Sequence, residues 1–348
     1  MFRPIKIIGK SYDKFGERIK KLLDVDITQG LSCVSVKGTK LILMVDDYQN
    51  ERTRIIHYDI VNDRITLDQQ LDRLVWYYDA RVFRITNNLS FVDGYGIFYK
   101  YNPTTNSYEI IDLGIGGIYE SVIANDKILS IRWDNCRVYD LNGNLLTTFP
   151  FGAEYLSYYE PENKAYVWFA GRNTIYEIDL TNLTYREIAL PSNFYIRYGY
   201  PVKRIPNTNK LLIFIYNWNT NVDELYELDL NTLQLSLKKQ FPELEYVDAS
   251  FISDNCKIVF ITVWDAITTN YLETFVYDVE RDVLKLAFST DYVFLIVGDD
   301  NVQRYLIKDA PYGYVVYIYD YRKDKILGVI KNYGWYDIRI DGKIWLTI

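Results

Sequence analysis

Histidine is almost missing: His57 is the single imidazole in 348 residues. It sits in an alternating stretch beside Tyr58-Asp59, where a strand side chain is expected rather than a general base. Ser-His-Asp and Cys-His catalysis thereby lose their base, and a multi-histidine metal site within one chain is excluded. Cysteine is scarce as well. Cys33, Cys136 and Cys256 lie about a hundred residues apart, with no CxxC spacing and no even set. Neither zinc ligation nor a disulfide framework follows from that pattern; reduced, small hydrophobes in a reducing compartment do.

A basic surplus is also lacking. The formal charge is −7, which argues against nucleic acid, since phosphate binding needs an excess of Lys and Arg on one face. The densest basic stretch, "KSYDKFGERIKK", is interrupted by Asp13 and Glu17 and reads as a solvated hairpin. No apolar run approaches membrane-spanning length, and "MFRPIKIIGKSYD" offers no signal-peptide h-region. The expectation is no membrane insertion and a cytoplasmic protein, or a virion or assembly component made there. Sparse Met and His with abundant Ile, Tyr and Asn resemble archaeal and archaeal-virus proteins in composition.

Aromatic residues are plentiful: 34 Tyr, 16 Phe and 7 Trp, or 16% of the chain. With Val and Ile they favour strands. A short pattern recurs from end to end: an apolar alternation closing on an aromatic or aliphatic residue plus Asp, a turn, then a second strand. It appears as "IIHYDIVNDRITLD", "CRVYDLNGNLLTTF", "IYEIDLTNLTYREIAL", "LYELDLNTLQLSLKK" and four relatives elsewhere in the chain. The marker residues are Asp13, Asp59, Asn102, Asp140, Asp179, Asp229, Asp278 and Asp320, spaced by 46, 43, 38, 39, 50, 49 and 42 residues. Asp and Asn accept hydrogen bonds from backbone N–H groups two residues on and so start a turn, which makes these acids structural. A second hairpin lies between successive markers, with turns such as "KGTK", "NDK", "PENK" and "PNTNK". Each unit therefore holds four strands, A to D. Helical periodicity is missing apart from "LDQQLDRLVWYYDA", which reads as one helical turn in a loop.

A period near 43 residues with four strands is that of a propeller blade. The chain predicts an all-β, single-domain β-propeller spanning 1–348, with eight four-stranded blades and seven as the alternative. The blades are placed at 32–70, 80–113, 119–149, 155–190, 196–240, 246–288 and 292–330. The eighth joins the C-terminal A–B hairpin, 336–348, to the N-terminal C–D hairpin, 5–24, because a ring removes open sheet edges.

The stretch "YKYNPTTNSYE" resembles the outer strands of kelch repeats, and "VYDLNGN" resembles propellers of the YVTN and quinoprotein-like kinds. The resemblance covers the whole chain and implies the β-propeller superfamily. It stops short of one family: Gly116-Gly117 sits in a connecting loop rather than after a second strand, and the His of WD-type repeats is missing.

In propellers the B–C and D–A loops share one rim. Here that rim is long and aromatic: "DQQLDRLVWYYD", "WDN", "AGRN", "PSNFYIR", "NWNTNVD", "WDAITTNY", "KDAPYGY" and "KNYGWY". Trp, Tyr and Arg are enriched at binding hot spots because they bury much area and keep a polar handle. The candidate binding residues are Trp76, Tyr77, Trp133, Asp134, Arg172 and Tyr195, with Trp218, Trp264, Asp265, Tyr312 and Trp335. The competing reading makes the tryptophans that close strand B plugs between blades. No catalytic residue, metal ligand or cofactor is indicated, although acidic doublets leave Ca²⁺ open. The preferred function is a non-enzymatic scaffold presenting this rim to a protein partner or to itself. The alternative is carbohydrate binding or cleavage, with rim Trp as sugar platforms and rim carboxylates as acids.

Overall fold

The computed structural model describes residues 31–37, 40–47, 49–59, 62, 64–75, 89–253, 255–264, 272–290, 293–296, 303–309, 313–320 and 325–332. The two segments expected to pair as a split blade, 5–24 and 336–348, lie outside them.

Apart from one 3₁₀ turn at Glu160–Glu162, the regular elements among these residues are all strands. The first sheet runs β1 (Leu31–Lys37), β2 (Lys40–Asp47), β3 (Arg52–Asp59) and β4 (Arg64–Leu71). The stretch read as a helical turn is thus strand as far as Leu71, because Arg64–Leu71 pairs with β3 across a hairpin. The second sheet holds β5 (Phe91–Val92), β6 (Ile97–Asn102) and β7 (Ser107–Asp112). The third holds β8 (Glu120–Ala124), β9 (Lys127–Ile131), β10 (Cys136–Asp140) and β11 (Leu145–Phe149). The fourth holds β12 (Tyr155–Tyr159), β13 (Lys164–Trp168), β14 (Thr174–Asp179) and β15 (Thr184–Ala189). In the fifth, a broken first strand, β16 (Phe194–Ile196) and β18 (Val202–Arg204), pairs with β19 (Lys210–Asn217), followed by β20 (Val222–Asp229) and β21 (Leu235–Phe241), while β17 (Tyr198–Tyr200) between the two pieces joins the sixth sheet. The sixth holds β22 (Val247–Ile252), β23 (Ile258–Trp264), β24 (Leu272–Asp278) and β25 (Val283–Thr290). The seventh holds β26 (Val293–Ile296), β27 (Gln303–Asp309), β28 (Gly313–Asp320) and β29 (Lys325–Asn332).

The chain divides into two compact units, one of Val75–Ser289 and one of Met1–Leu74 with Thr290–Ile348. In the Val75–Ser289 unit the leading strands adjoin in chain order: β5 by β8, β8 by β12, β12 by β17 and β18, β18 by β22. Successive sheets therefore stack face to face. Val138 and Leu129 of the third sheet pack with Leu156, Val167 and Ile178 of the fourth. The fourth and fifth share Tyr166, Trp168, Ile213 and Ile215, and the fifth and sixth share Phe214, Leu225, Ile261 and Val263. Middle strands are covered on both faces, so β13 reads "KAYVW" without alternation, while the outermost β15 is exposed along almost its whole length. Each fully covered Leu, Ile or Val contributes about 1.5–3 kcal/mol.

The marker Asp and Asn residues end the strand next to the last in each sheet (β3, β6, β10, β14, β20, β24 and β28), and the hydrogen bonds of the acids are local. Asp140 Oδ1 accepts from the N–H groups of Asn142 (2.8 Å) and Asn144 (2.9 Å). Asp179 takes Thr181 and Asn182, Asp229 takes Asn231 and Thr232, and Asp278 takes Glu280 and Arg281 in the same way. Register places a lysine that opens the second strand opposite the acid: Lys40 and Asp59, Lys127 and Asp140, Lys164 and Asp179, Lys210 and Asp229. Opposite charges facing across a strand pair support that register. A tyrosine lock also recurs. Tyr101, Tyr158 and Tyr277 donate to Asn106 (2.6 Å), Asn163 (2.9 Å) and Asp282 (2.9 Å), each five residues on. Those acceptors have φ of 51 to 54°, the left-handed region that short polar side chains tolerate.

One irregularity positions the site. Ile196 pairs with Ile215 and Val202 with Ile213, so residues 197–201 bulge opposite Phe214 alone. The bulge is not wasted: β17 within it pairs in parallel with β22 of the sixth sheet, Tyr198 to Ala249 and Tyr200 to Phe251. Gly199 permits this approach. Its φ is +89°, and a Cβ there would stand 2.4 Å from the Ser250 carbonyl oxygen.

Candidate functional site

Between the fifth and sixth sheets, inside the Val75–Ser289 unit, lies a cleft of about 910 Å³. One wall is β16 and the bulge that follows it, bringing Tyr195, then Arg197 and Tyr198. A second is the β19–β20 hairpin end, bringing Tyr216 from β19, Trp218 from the turn and Asp223 from β20. The third is the connection from β21 to β22, with Pro242, Glu245, Tyr246 and Asp248.

Its floor is ionic. Arg197 grips Asp223 with both ends of its fork, Nε to Oδ1 at 2.6 Å and Nη2 to Oδ2 at 2.8 Å. The Asp223 side chain is only 3% exposed and that of Arg197 17%. Burial raises the Asp223 pKa above its ordinary value, and the neighbouring Glu224 adds to this against the opposing pull of Arg197. The guanidinium also stacks on Tyr216, 4.6 Å from the ring centre. Trp218 meets Tyr216 (5.0 Å, 85°) and Tyr195 (6.3 Å, 86°) edge to face, the arrangement the ring quadrupoles favour.

The Trp218 loop is held from behind by a buried polar knot. Asn217 accepts from Asn193 Nδ2 (2.6 Å) and from the N–H of Asn219 (3.0 Å) and donates to Glu224 (2.9 Å). Glu224 further accepts from Tyr226 (2.8 Å), Gln240 (2.8 Å) and Thr220 (3.2 Å). Burial works to raise the Glu224 pKa, but these hydrogen bonds outweigh it and hold the carboxyl below its ordinary range. The Trp218 N–H itself donates to Asn193 O at 2.9 Å.

What the floor fixes, the rim exposes. Trp218 is 59% exposed, Tyr198 46% and Tyr246 64%. Three large aromatics thus stand open to solvent above a buried ion pair.

Of the sequence candidates, Tyr195 and Trp218 meet in this cleft. Tyr195 belongs to β16 rather than to a loop, and its ring lies over Gly171, where a Cβ would come within 2.9 Å of the hydroxyl. Arg172 is exposed and joins the same corner through its backbone, its carbonyl accepting from Ile196 N–H at 3.0 Å. Trp133 and Asp134 stand in the β9–β10 connection of the third sheet, where Asp134 faces Arg132 at 3.4 Å. Trp133 is 64% exposed. The tryptophans of these two connections are therefore not plugs between sheets; Trp168, 0% exposed and stacked on Tyr155 at 5.8 Å, fills that role. Trp264 ends β23 opposite Leu272. Trp76, Tyr77, Asp265, Tyr312 and Trp335 lie outside the described residues. Sequence reasoning missed the 242–248 connection, although "PELEYVD" carries an aromatic between acids. It also missed Tyr198 and Tyr216, which look like ordinary strand residues. No group of three or more His, Cys, Asp or Glu among the described residues is arranged to hold a metal ion. Cys136 and Cys256 are buried thiols, the second donating to Arg204 O at 3.4 Å.

No protein-family model and no curated protein sequence matches the chain. Solved structures do. The structure of the Dos1 propeller aligns at TM-score 0.51 and 12% identity, covering 88% of this chain and 84% of that one. A functionally unknown protein from Desulfotomaculum acetoxidans aligns at TM-score 0.50 and 12% identity, covering 84% and 96%. The β-propeller domain of the Trilobed protease from Pyrococcus furiosus gives TM-score 0.49 and 14% identity over 88% and 96%. At such identities the likeness concerns the fold alone, and that fold is the β-propeller.

Proposed function

We propose that this β-propeller is a non-catalytic recognition module and that the cleft between its fifth and sixth sheets is the binding surface. The observation that carries the reading is the contrast between floor and rim. Trp218, Tyr198 and Tyr246 stand open to solvent, while Arg197, Asp223 and the Glu224 knot beneath them are already saturated with partners inside the protein. Both Asp223 oxygens are engaged by Arg197, which removes the most buried carboxylate of the cleft from acid–base work. A rigid base under exposed aromatics lowers the entropy cost of binding, because the platform is ordered before the partner arrives.

The partner is a protein segment or a second copy of the chain. Paired peptide and glycan arrays probed with the intact protein, with Trp218→Ala and with Trp133→Ala test this. Peptide binding that falls about thirtyfold or more in Trp218→Ala, as a hot-spot aromatic demands, and survives in Trp133→Ala supports the proposal. Equal binding by all three proteins overturns it. Binding confined to glycans, lost in Trp218→Ala, moves the surface to carbohydrate.

A further inference from the structure

Charge and aromaticity in this cleft point to a narrower class of partner. Five aromatic rings line it: Tyr195, Tyr198, Tyr216, Trp218 and Tyr246. The ionisable lining is one cation, Arg197, against three carboxylates, Asp223, Glu245 and Asp248. Arg197 is cancelled by Asp223 at the floor. Glu245, exposed at the rim, and Asp248, half-buried beside it, make no ion pair among the described residues, so the open part of the cleft carries two uncompensated negative charges.

The aromatic faces act in the same sense. The quadrupole of an aromatic ring is negative over its face and attracts cations, most of all when water is partly excluded. The protein already uses this once in the cleft, with the Arg197 guanidinium over Tyr216. Trp218 meets Tyr195 and Tyr216 at near right angles and remains 59% exposed, and Tyr246 at 64% stands next in sequence to Glu245. An anionic partner would meet two carboxylates and five electron-rich rings. A purely apolar one would strip water from Glu245 and Asp248 without replacing it.

Resting on the reading of this cleft as a recognition surface, we infer that its ligand is a basic peptide segment. One or more Arg or Lys side chains would lie against Trp218 and Tyr246, paired with Glu245 and Asp248. The volume of about 910 Å³ suits several residues of extended chain rather than a single side chain.

Titration of the full chain with acetylated, amidated hexa-arginine, hexaglutamate and cellohexaose, followed by isothermal calorimetry, tests the inference. Hexa-arginine is expected to bind and the other two not. Trp218→Ala should weaken it by about thirtyfold, as expected for a cation over a partly desolvated ring, and Glu245→Gln with Asp248→Asn by about fivefold per charge. A matched control removes two charges from outer strands, Glu109→Gln with Glu187→Gln, both exposed. That variant should change affinity less than twofold, which separates the cleft from the overall negative charge. Hexa-arginine binding that the control weakens as much as the cleft pair, or no binding at all, overturns the basic-peptide assignment. Binding of hexaglutamate or cellohexaose that is lost in Trp218→Ala also overturns the ligand class, yet leaves the cleft standing as the recognition surface. Hexa-arginine binding indifferent to Trp218→Ala overturns both. The substituted side chains are at the rim, so far-UV circular dichroism and melting temperature of the variants should match the parent.

Discussion

The pairing of Arg197 with Asp223 makes a demanding prediction, because a buried ion pair behaves differently when broken than when removed. Asp223 is 3% exposed and Arg197 17%, with both guanidinium contacts under 3 Å. Removing one partner from a buried pair costs about 3–5 kcal/mol, mostly the penalty of stranding the other charge. In Asp223→Ala the stranded group is Arg197, which keeps its stack on Tyr216 and some solvent, so the lower end, about 3 kcal/mol, is expected. In Arg197→Met the stranded group is Asp223. Its pKa is already raised by burial in the intact protein, and losing Arg197 raises it further. A carboxyl whose folded pKa lies above its unfolded one contributes stability below the unfolded value and loses it as pH rises through the folded value. Arg197→Met should therefore be less harmful near pH 4 than at pH 7, whereas Asp223→Ala should lack that trend. The double variant removes both charges and should lie near the milder single variant, giving a coupling about as large as the cost of the harsher one, roughly 3–5 kcal/mol. Urea denaturation followed by far-UV circular dichroism at both pH values measures all four corners. A coupling below about 0.5 kcal/mol, or two additive single effects, would refute a buried, interdependent pair.

Three further outcomes follow from the same geometry. Gly199→Ala should cost about 1–3 kcal/mol, since the new Cβ meets the Ser250 backbone at positive φ. Gly114→Ala, at φ +61° with nothing within 4 Å, should sit at the bottom of that range, and equal melting losses would argue against the close approach. Glu224 has a lowered pKa, so the stability it adds is present above the unfolded carboxyl range and is lost as pH falls through the folded value. Glu224→Gln should thus be clearly less stable than the parent at pH 7 and converge on it in acid, as read from melting temperature against pH. Trp168→Ala should cost about 3–5 kcal/mol as a core truncation. Trp133→Ala should stay within about 0.5 kcal/mol, and reversal of that order in chemical denaturation would place Trp133 rather than Trp168 between sheets.

Sequence reasoning reached furthest where structure is local. The marker acids were readable because Asp140, Asp179 and Asp229 satisfy N–H groups only two to four residues away. Hairpins were readable because short turns such as Asn125-Asp126 and Pro206-Asn207 punctuate the apolar stretches of Lys127–Ile131 and Lys210–Asn217 that follow them. The site was only half readable. Trp218 stood out as an aromatic in a polar turn, but Tyr216, two residues earlier, lies in strand β19 and looks like any strand tyrosine. Whether it faces a neighbour or a cleft depends on Arg197, nineteen residues upstream, and no local pattern carries that. Tyr246 was missed for another reason: the connection holding it is short and lacks the Gly, Asn and Trp that drew attention to its neighbours.

The bulge at 197–201 explains why the cleft lies where it does. A regular first strand would have bonded residue by residue to β19 and turned alternate side chains into the core. Five residues opposite Phe214 alone break that alternation. The break frees Arg197 to swing towards Asp223 on β20, and it leaves Tyr198 facing outward at 46% exposure. Ladder bonds lost to β19 are recovered on the other side, where β17 pairs with β22. Bulges are a common means of re-aiming side chains beside functional sites. This one also ties the fifth sheet to the sixth at the base of the cleft, so the walls that carry Trp218 and Tyr246 are held at a fixed separation by backbone hydrogen bonds. Gly199 is the residue on which that arrangement turns, because a side chain there would push β17 off Ser250 and let the two walls part. A cleft assembled from two sheets is only as rigid as the joint between them, and here the joint and the bulge are the same five residues.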